Sequence, residues 1–297
     1  MKIYDCFMYF DEEVVADVRL HTLNEFVDYF VIVESKFTHK GEPRKLKFDH
    51  KKFEKFKEKI IYIIDEKVYP QTQEIQTEDS EDEKSIKLIF NATYRENGQR
   101  NLLHTGLKEA NDEDLILISD VDEIPKLTGL NFKNINEKII LFKQDMFYYK
   151  FNLWLPNLIW TGTKACRKKN LINPQWLRNI KDRKYSFFRI DTLFSSTKFN
   201  SIKIINDGGW HFTNLKTPEE LYLKLKNFGH HDEFDNTEIT ISDLKKKIDN
   251  GLVLYNHFSD KSSKNKWEYS YKLKIIKDSL LPNYLIQNRA NFNEWFK

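Results

Sequence analysis

Residues 115–125 read LILISDVDEIP, an apolar run that ends abruptly in three carboxylates, Asp120, Asp122 and Glu123. Four or five apolar residues of this kind make a buried strand. Negative charge delivered to the edge of a core is costly unless it is paired or metal-bound. Asp120 and Asp122 stand two apart, so in an extended segment their side chains point the same way and can share one cation. A hard divalent ion held there can neutralise a diphosphate. Asp-x-Asp alone is a weak signal, and the same carboxylates around Pro125 could equally cap the next element. The strand that feeds them favours the chemical reading.

Working outward, residues 2–7 form a short aromatic-rich strand, and Glu13 to Phe26 places Val14, Val15, Val18, Leu23 and Phe26 at helical intervals. Tyr29 to Val33 (YFVIV), closed by Glu34, is a second strand. Residues 51–59 look helical and charged, and Ile60 to Ile64 is a third strand. Residues 71–83 are polar and acidic without apolar periodicity, as in a solvated loop. Residues 85–110 are mainly helical, with a break expected at Gly98. Strands alternating with helices give an α/β protein with a parallel sheet and ligands at the carboxyl ends of its strands. Further on, Ile139 to Leu155 holds aromatic-rich strand segments, and DGGWHF (207–212) is a glycine turn. Thr217, Pro218 and Glu220 open a helix with a capping box, whose apolar body is Leu221, Leu223 and Leu225.

Two further groups can bear on a diphosphate or its nucleoside. Within ENGQRN (96–101), Arg100 offers a planar fork of donors for phosphate, and Asn101 can bond a ribose or base edge. A solvated helix face would look the same. In Gly208-Gly209-Trp210-His211, Trp210 can serve as a sugar or base platform. Neutral His211 can complete a metal shell with Asp120 and Asp122, although a lone histidine is more often structural. A sugar-nucleotide-dependent glycosyltransferase is the function that joins these features.

The composition bounds the rest. A chain of 297 residues suits one large domain or two modest ones, and 14% of it is aromatic. The net charge is only +3. Between Lys164 and Lys203, however, eleven basic residues face two acids, Asp182 and Asp191. Such a stretch suits peripheral contact with a membrane surface or another anion, or is simply a solvated face. Two cysteines, Cys6 and Cys166, make neither a disulfide framework nor a zinc site. No signal-peptide core and no apolar run near the roughly 20 residues of a membrane span are evident, so a soluble, cytoplasmic protein is expected.

The chain resembles glycosyltransferase family 17. The resemblance is carried by Tyr4-Asp5-Cys6-Phe7, by Glu12 to His21 ending Val18-Arg19-Leu20-His21, and by residues 27–35 (VDYFVIVES). It continues through Gly41-Glu42-Pro43-Arg44, Lys47-Phe48, Arg100-Asn101, residues 118–125 (ISDVDEIP), Gly209-Trp210-His211 and Thr217-Pro218-Glu219. Known animal members add the bisecting N-acetylglucosamine to the β-mannose of N-glycan cores. The resemblance implies a GT-A-type, Rossmann-like, mostly parallel sheet flanked by helices, with a C-terminal extension. It also implies a UDP-sugar donor (UDP-N-acetylglucosamine), Mn²⁺ or Mg²⁺, inversion to a β-linkage and a glycan or glycolipid acceptor. Carried over by position, Asp120 and Asp122 match the metal and diphosphate motif, Cys6, Glu34, Arg100, Asn101, Asp120 and Trp210 are donor-side positions, and His211 is the third metal candidate. The expected layout is a catalytic domain over 1–230, its donor half about 1–125 and its acceptor half about 126–230, with 231–297 packed on it as a helical or irregular extension.

An inverting displacement needs a base to take the acceptor hydroxyl's proton. Glu123, beside the aspartates, and Asp191, in the basic stretch, are the two candidates. Glu123 can instead hold the donor, and Asp191 can instead pair with Arg189. Two other functions compete. A sugar-nucleotide nucleotidyltransferase also uses strand-end aspartates and a metal, but residues 4–12 contain no glycine for a phosphate loop. A non-enzymatic module binding nucleic acid or another anion through residues 164–203 would bind with a steep salt dependence.

Overall fold

Strand β4 (Leu115–Asp120) lies at the centre of a mixed sheet, with β1 (Ile3–Tyr9) on one side and β7 (Leu153–Arg167) on the other. A computed structural model describes residues 1–69, 72–183, 185, 195–227, 234, 237–257, 267 and 271–297. Beyond β1 follow β2 (Tyr29–Ser35) and β3 (Ile60–Asp65), and the four strands β3-β2-β1-β4 are all parallel. Their near-continuous apolar content is what a sheet covered on both faces requires.

The other half departs from a mostly parallel sheet. β6 (Ile139–Tyr148) and β7 form a hairpin through Tyr149, which adopts a left-handed conformation (φ 63°). β7 therefore returns antiparallel to both β6 and β4. Beside β6 run β8 (Ile202–Ile205) and β9 (Gly209–Thr213), both parallel to it. The short β5 (Glu123–Pro125) is antiparallel to β9, and β10 (Lys274–Ile275) is antiparallel to β7. The aromatic density of 139–155 marks the strands but not the direction in which the second one returns.

One face of the sheet is covered by α1 (Glu13–Leu23) and the C-terminal segment, with Val18, Leu20, Phe30, Leu117, Leu285 and Trp295 in one core. The opposite face is covered by α2 (Glu81–Leu102), a 3-10 turn at 103–107 and α3 (Pro174–Asn179). A third cluster joins the far ends of β6 and β7 to α4 (Pro218–Asn227) and α5 (Ile241–Asn250). A short α6 (Asn283–Gln287) packs on α1.

Several local expectations meet a different geometry. α2 begins at Glu81 behind a Ser80–Glu83 capping box, inside the stretch read as a loop, and runs unbroken through Gly98. A Cβ at Gly98 would stand 2.2 Å from the Tyr69 ring, so this glycine serves close approach and does not break the helix. Residues 51–59 contain only a 3-10 turn at Glu54–Phe56. The Thr217–Glu220 box forms as expected (Glu220 N to Thr217 Oγ1 3.2 Å). Leu221 and Leu225 are buried, but Leu223 is 61% exposed because a residue two along a helix points elsewhere. Among the described residues, no helix is long and apolar enough to cross a membrane.

Candidate active site

Three elements converge on the end of β4. The chain turns at Val121 and Asp122 before β5, and this turn separates the two aspartates that an extended segment would have kept together. Asp120 Oδ1 lies 3.1 Å from Arg100 Nη2 of α2, and its Oδ2 lies 3.0 Å from Arg178 Nη2 of α3. Asp122 turns instead to β9, where its Oδ1 is 3.4 Å from His211 Nε2.

The backbone of this turn is fixed from beneath. Arg19 of α1, fully buried, donates from Nη1 to the carbonyl oxygens of Asp120 (3.1 Å), Val121 (3.2 Å) and Glu123 (2.8 Å). Its other nitrogens grip the Asp5 carboxylate at 2.6 and 2.8 Å. Burial of both ions is tolerable because each is paired and hydrogen-bonded.

Glu123 is held by several donors. It is fully buried and accepts from Arg178 Nη1 (2.7 Å), Arg178 Nη2 (3.1 Å), Trp160 Nε1 (2.7 Å) and the Asp120 backbone N–H (2.9 Å). These bonds tie Arg178 to the turn. Asp191, the other base candidate, lies outside the described residues.

Charges shift as this packing dictates. Burial pushes the Asp120 carboxyl up, but the Arg178 and Arg100 guanidiniums outweigh it and hold the group well below the carboxylate range. Burial likewise opposes ionisation of Asp122, yet His211 and, further off, Lys224 bring its pKa down. For His211, burial lowers the pKa and Asp122 with its acidic neighbours raises it; the acids win, and the net shift is upward. His211 Nδ1 is buried without a hydrogen-bond partner among the described residues, and the ring lies 5.2 Å from that of Trp160, centroid to centroid.

Of the donor-side positions, Arg100 and Asp120 meet directly. Asn101 ties α2 to α3, accepting from the Gln175 N–H at 3.0 Å. Glu34 is fully buried and pins the 44–48 segment, accepting from Lys47 N (2.7 Å), Phe48 N (3.1 Å) and Tyr62 Oη (2.7 Å) and pairing with Arg44 (3.0 Å). Cys6 sits in the core between β2 and β4, where burial pushes its thiol well up. Trp210 alternates with His211 along β9 and so faces the other side of the sheet, its indole N–H on Leu280 O at 2.8 Å.

Arg178 and Trp160 were not singled out by the sequence. Arg178 stands in the basic 164–203 stretch but points inward. Buried Lys164 likewise donates to the Ile180 carbonyl at 2.5 Å, and Lys169 pairs with Glu113. The stretch is therefore not one continuous basic face. A third omission is His257, hydrogen-bonded to Tyr148 Oη; burial, then the nearby His211, pulls it down to about 4. Nothing in the irregular sequence around His257 points to it.

The sequence profile of glycosyltransferase family 17 matches residues 1–296. This chain belongs to glycosyltransferase family 17. The curated relatives of this family-17 chain include the β-1,4-mannosyl-glycoprotein 4-β-N-acetylglucosaminyltransferases of Homo sapiens, Rattus norvegicus and Mus musculus. Each is 25% identical over 226 residues, covering 71% of this chain and 40% of the relative. The chain thus spans well under half the length of these relatives.

Whether a metal fits can be judged from the donor set. Among the described residues, no group of three His, Cys, Asp or Glu side chains is arranged to hold one. Asp120 is paired with Arg100 and Arg178. The Asp122 carboxylate, with the neutral form of His211 beside it, does fit a divalent ion such as Mn²⁺ that takes only one or two protein ligands and fills its remaining positions with water and phosphate oxygens.

Proposed function

We propose that this family-17 protein is a metal-dependent, inverting glycosyltransferase of GT-A type that transfers N-acetylglucosamine from UDP-N-acetylglucosamine to a glycan acceptor, with mannose-containing glycans the first to try. The observation that carries the reading is the Asp122–His211 pair at the carboxyl end of a buried strand, beside a carboxylate cradled by two guanidiniums. The relatives' names supply the donor sugar and acceptor class. Asp122 and His211 would hold the cation, which when bound offsets the charge gathering on the departing diphosphate. Arg100 and Arg178 place two planar donor forks at the same strand end, the chemistry that recognises phosphate. Glu123 orients Arg178, and Arg19 fixes the backbone from which both aspartates project.

UDP-N-acetylglucosamine turnover with Mn²⁺, repeated after chelation and with Asp122→Ala, tests the reading. The expected result is turnover that chelation or the substitution abolishes while the far-UV spectrum is kept. Turnover indifferent to both would overturn it. Release of UMP or a sugar phosphate in place of UDP would assign the site to nucleotidyl transfer.

A further inference from the structure

The sheet carries an opening on the face away from Asp122 and His211. β6 and β9 pair Asp145 with Trp210 and Met146 with His211. The alternation of a strand therefore turns Asp145 and Trp210 to the α1 face and His211 to the other. On the α1 face, a cavity of about 940 Å³ opens between the end of α1, the Pro125–Thr128 loop and the C-terminal segment 276–288. That volume lies at the upper end of ordinary ligand pockets, roughly 300–1,000 Å³.

Its lining specifies a chemistry. Trp154 and Trp210 both border the cavity with their N–H edges spent, on Asp145 Oδ1 (3.2 Å) and Leu280 O (2.8 Å), which leaves ring faces as their contribution. Tyr284 adds a third ring, stacked on His21 at 4.1 Å. Asp145 keeps its second oxygen clear of any hydrogen bond or ion pair among the described residues, and burial, with Asp207 nearby, holds its pKa above the usual carboxylate value. Lys126, one of two lysines on the rim, is committed to Asp207 at 2.5 Å. The remaining rim is mainly amide and hydroxyl, among it Asn24, Asn283 and Gln287, with Glu25 and Lys55 as its other charges.

Each rival ligand class meets an obstacle. An anion would face three carboxylates, Asp145, Glu25 and Asp207, against Lys55, with Lys126 already paired. A purely apolar ligand would bury Asp145 without a donor, at a cost. A compact cation would leave the amides idle. A pyranose satisfies all of it, laying its C–H face on an aromatic ring and donating hydroxyls to a carboxylate and amides.

We propose that this cavity is a second binding site, taking a short neutral oligosaccharide on the sheet face opposite Asp122 and His211. It is independent of the transfer reaction and stands or falls apart from it.

The test is a titration of the intact protein with α-linked mannotriose and with chitotriose, read by tryptophan fluorescence and by hydrogen exchange. One of them should give a saturable fluorescence change, unaltered by UDP with Mn²⁺ and about ten-fold weaker in Asp145→Asn, the loss expected when a charged acceptor is removed. UDP-sugar turnover in Asp145→Asn should match the unmodified protein. Hydrogen exchange needs no variant, and saccharide should protect 21–28 and 276–288. Flat titrations, protection confined to 118–124 and 209–213, displacement by UDP, or a response only to tetramethylammonium would each overturn the proposal.

Discussion

Arg19 and Asp5 form a bidentate ion pair closed to solvent, with Nη2 and Nε of the arginine 2.6 and 2.8 Å from the two carboxylate oxygens. The pair couples α1 to the turn that carries both aspartates, because the third guanidinium nitrogen is spent on that turn's carbonyls. Removing one partner strands a buried charge, whereas removing both does not. Arg19→Met should therefore cost about 3–5 kcal/mol of stability by urea denaturation. Adding Asp5→Leu to it should recover part of that loss. Equal stability of the single and double variants would show that Asp5 is not left uncompensated.

Arg178 joins Asp120 to Glu123, and its replacement separates positioning from proton transfer. Arg178→Lys keeps a charge but cannot span both carboxylates and the Gly162 carbonyl, which the arginine reaches at 2.8 Å. A misplacement of this kind should lower UDP-sugar turnover by roughly a hundred-fold.

Glu123→Gln should also slow turnover, but the acid limb of the pH–rate profile should survive, since Glu123 is engaged by Arg178 and Trp160. Disappearance of that limb would restore Glu123 as the base.

Lys164 gives a pH signature. Burial is the main cause of its pKa falling to about 8. Between that value and the ordinary lysine range the unfolded chain binds more protons than the folded one, so stability rises with pH across this interval. Below about pH 8 both states are protonated and the cost of burial is fully present. In Lys164→Met the rise from pH 8 to 10 should flatten, by up to about 3 kcal/mol relative to the unmodified protein. Parallel pH curves for the two proteins would contradict a buried, destabilised ammonium.

What the sequence made legible follows from range. The parallel strands β1 to β4, α1 and the Thr217 cap are short-range patterns of apolar spacing and capping, and all are present. The junction of Arg100 with Asp120 and of Asp122 with His211 was foreseeable from residue type. The role of Arg178 was hidden: a basic residue in a basic stretch looks solvated until α3 is folded against β4. The surroundings of Glu123 and Trp210 were hidden for a related reason. Which face a residue takes depends on the register of β5 and β9, and that register is set by partners far away in sequence.

Gly209 is where that register is decided. It has φ +124°, and a Cβ there would lie 2.1 Å from the Ile124 carbonyl oxygen, a backbone atom that cannot rotate away. The close approach brings β9 against β5 and places His211 opposite Glu123 and beside Asp122. Gly209→Ala should thus cost at least about 2 kcal/mol through backbone strain alone. It should also lower Mn²⁺-dependent turnover at temperatures where the protein remains folded, because β5 must retreat and carry the turn away from His211. Gly129→Ala makes the comparison: its φ is also positive (+78°), but nothing lies within 4 Å of the added carbon. It should lose stability through backbone strain and keep full turnover. Equal loss of turnover in both variants would show that the strand contact at Gly209 has no part in setting the site.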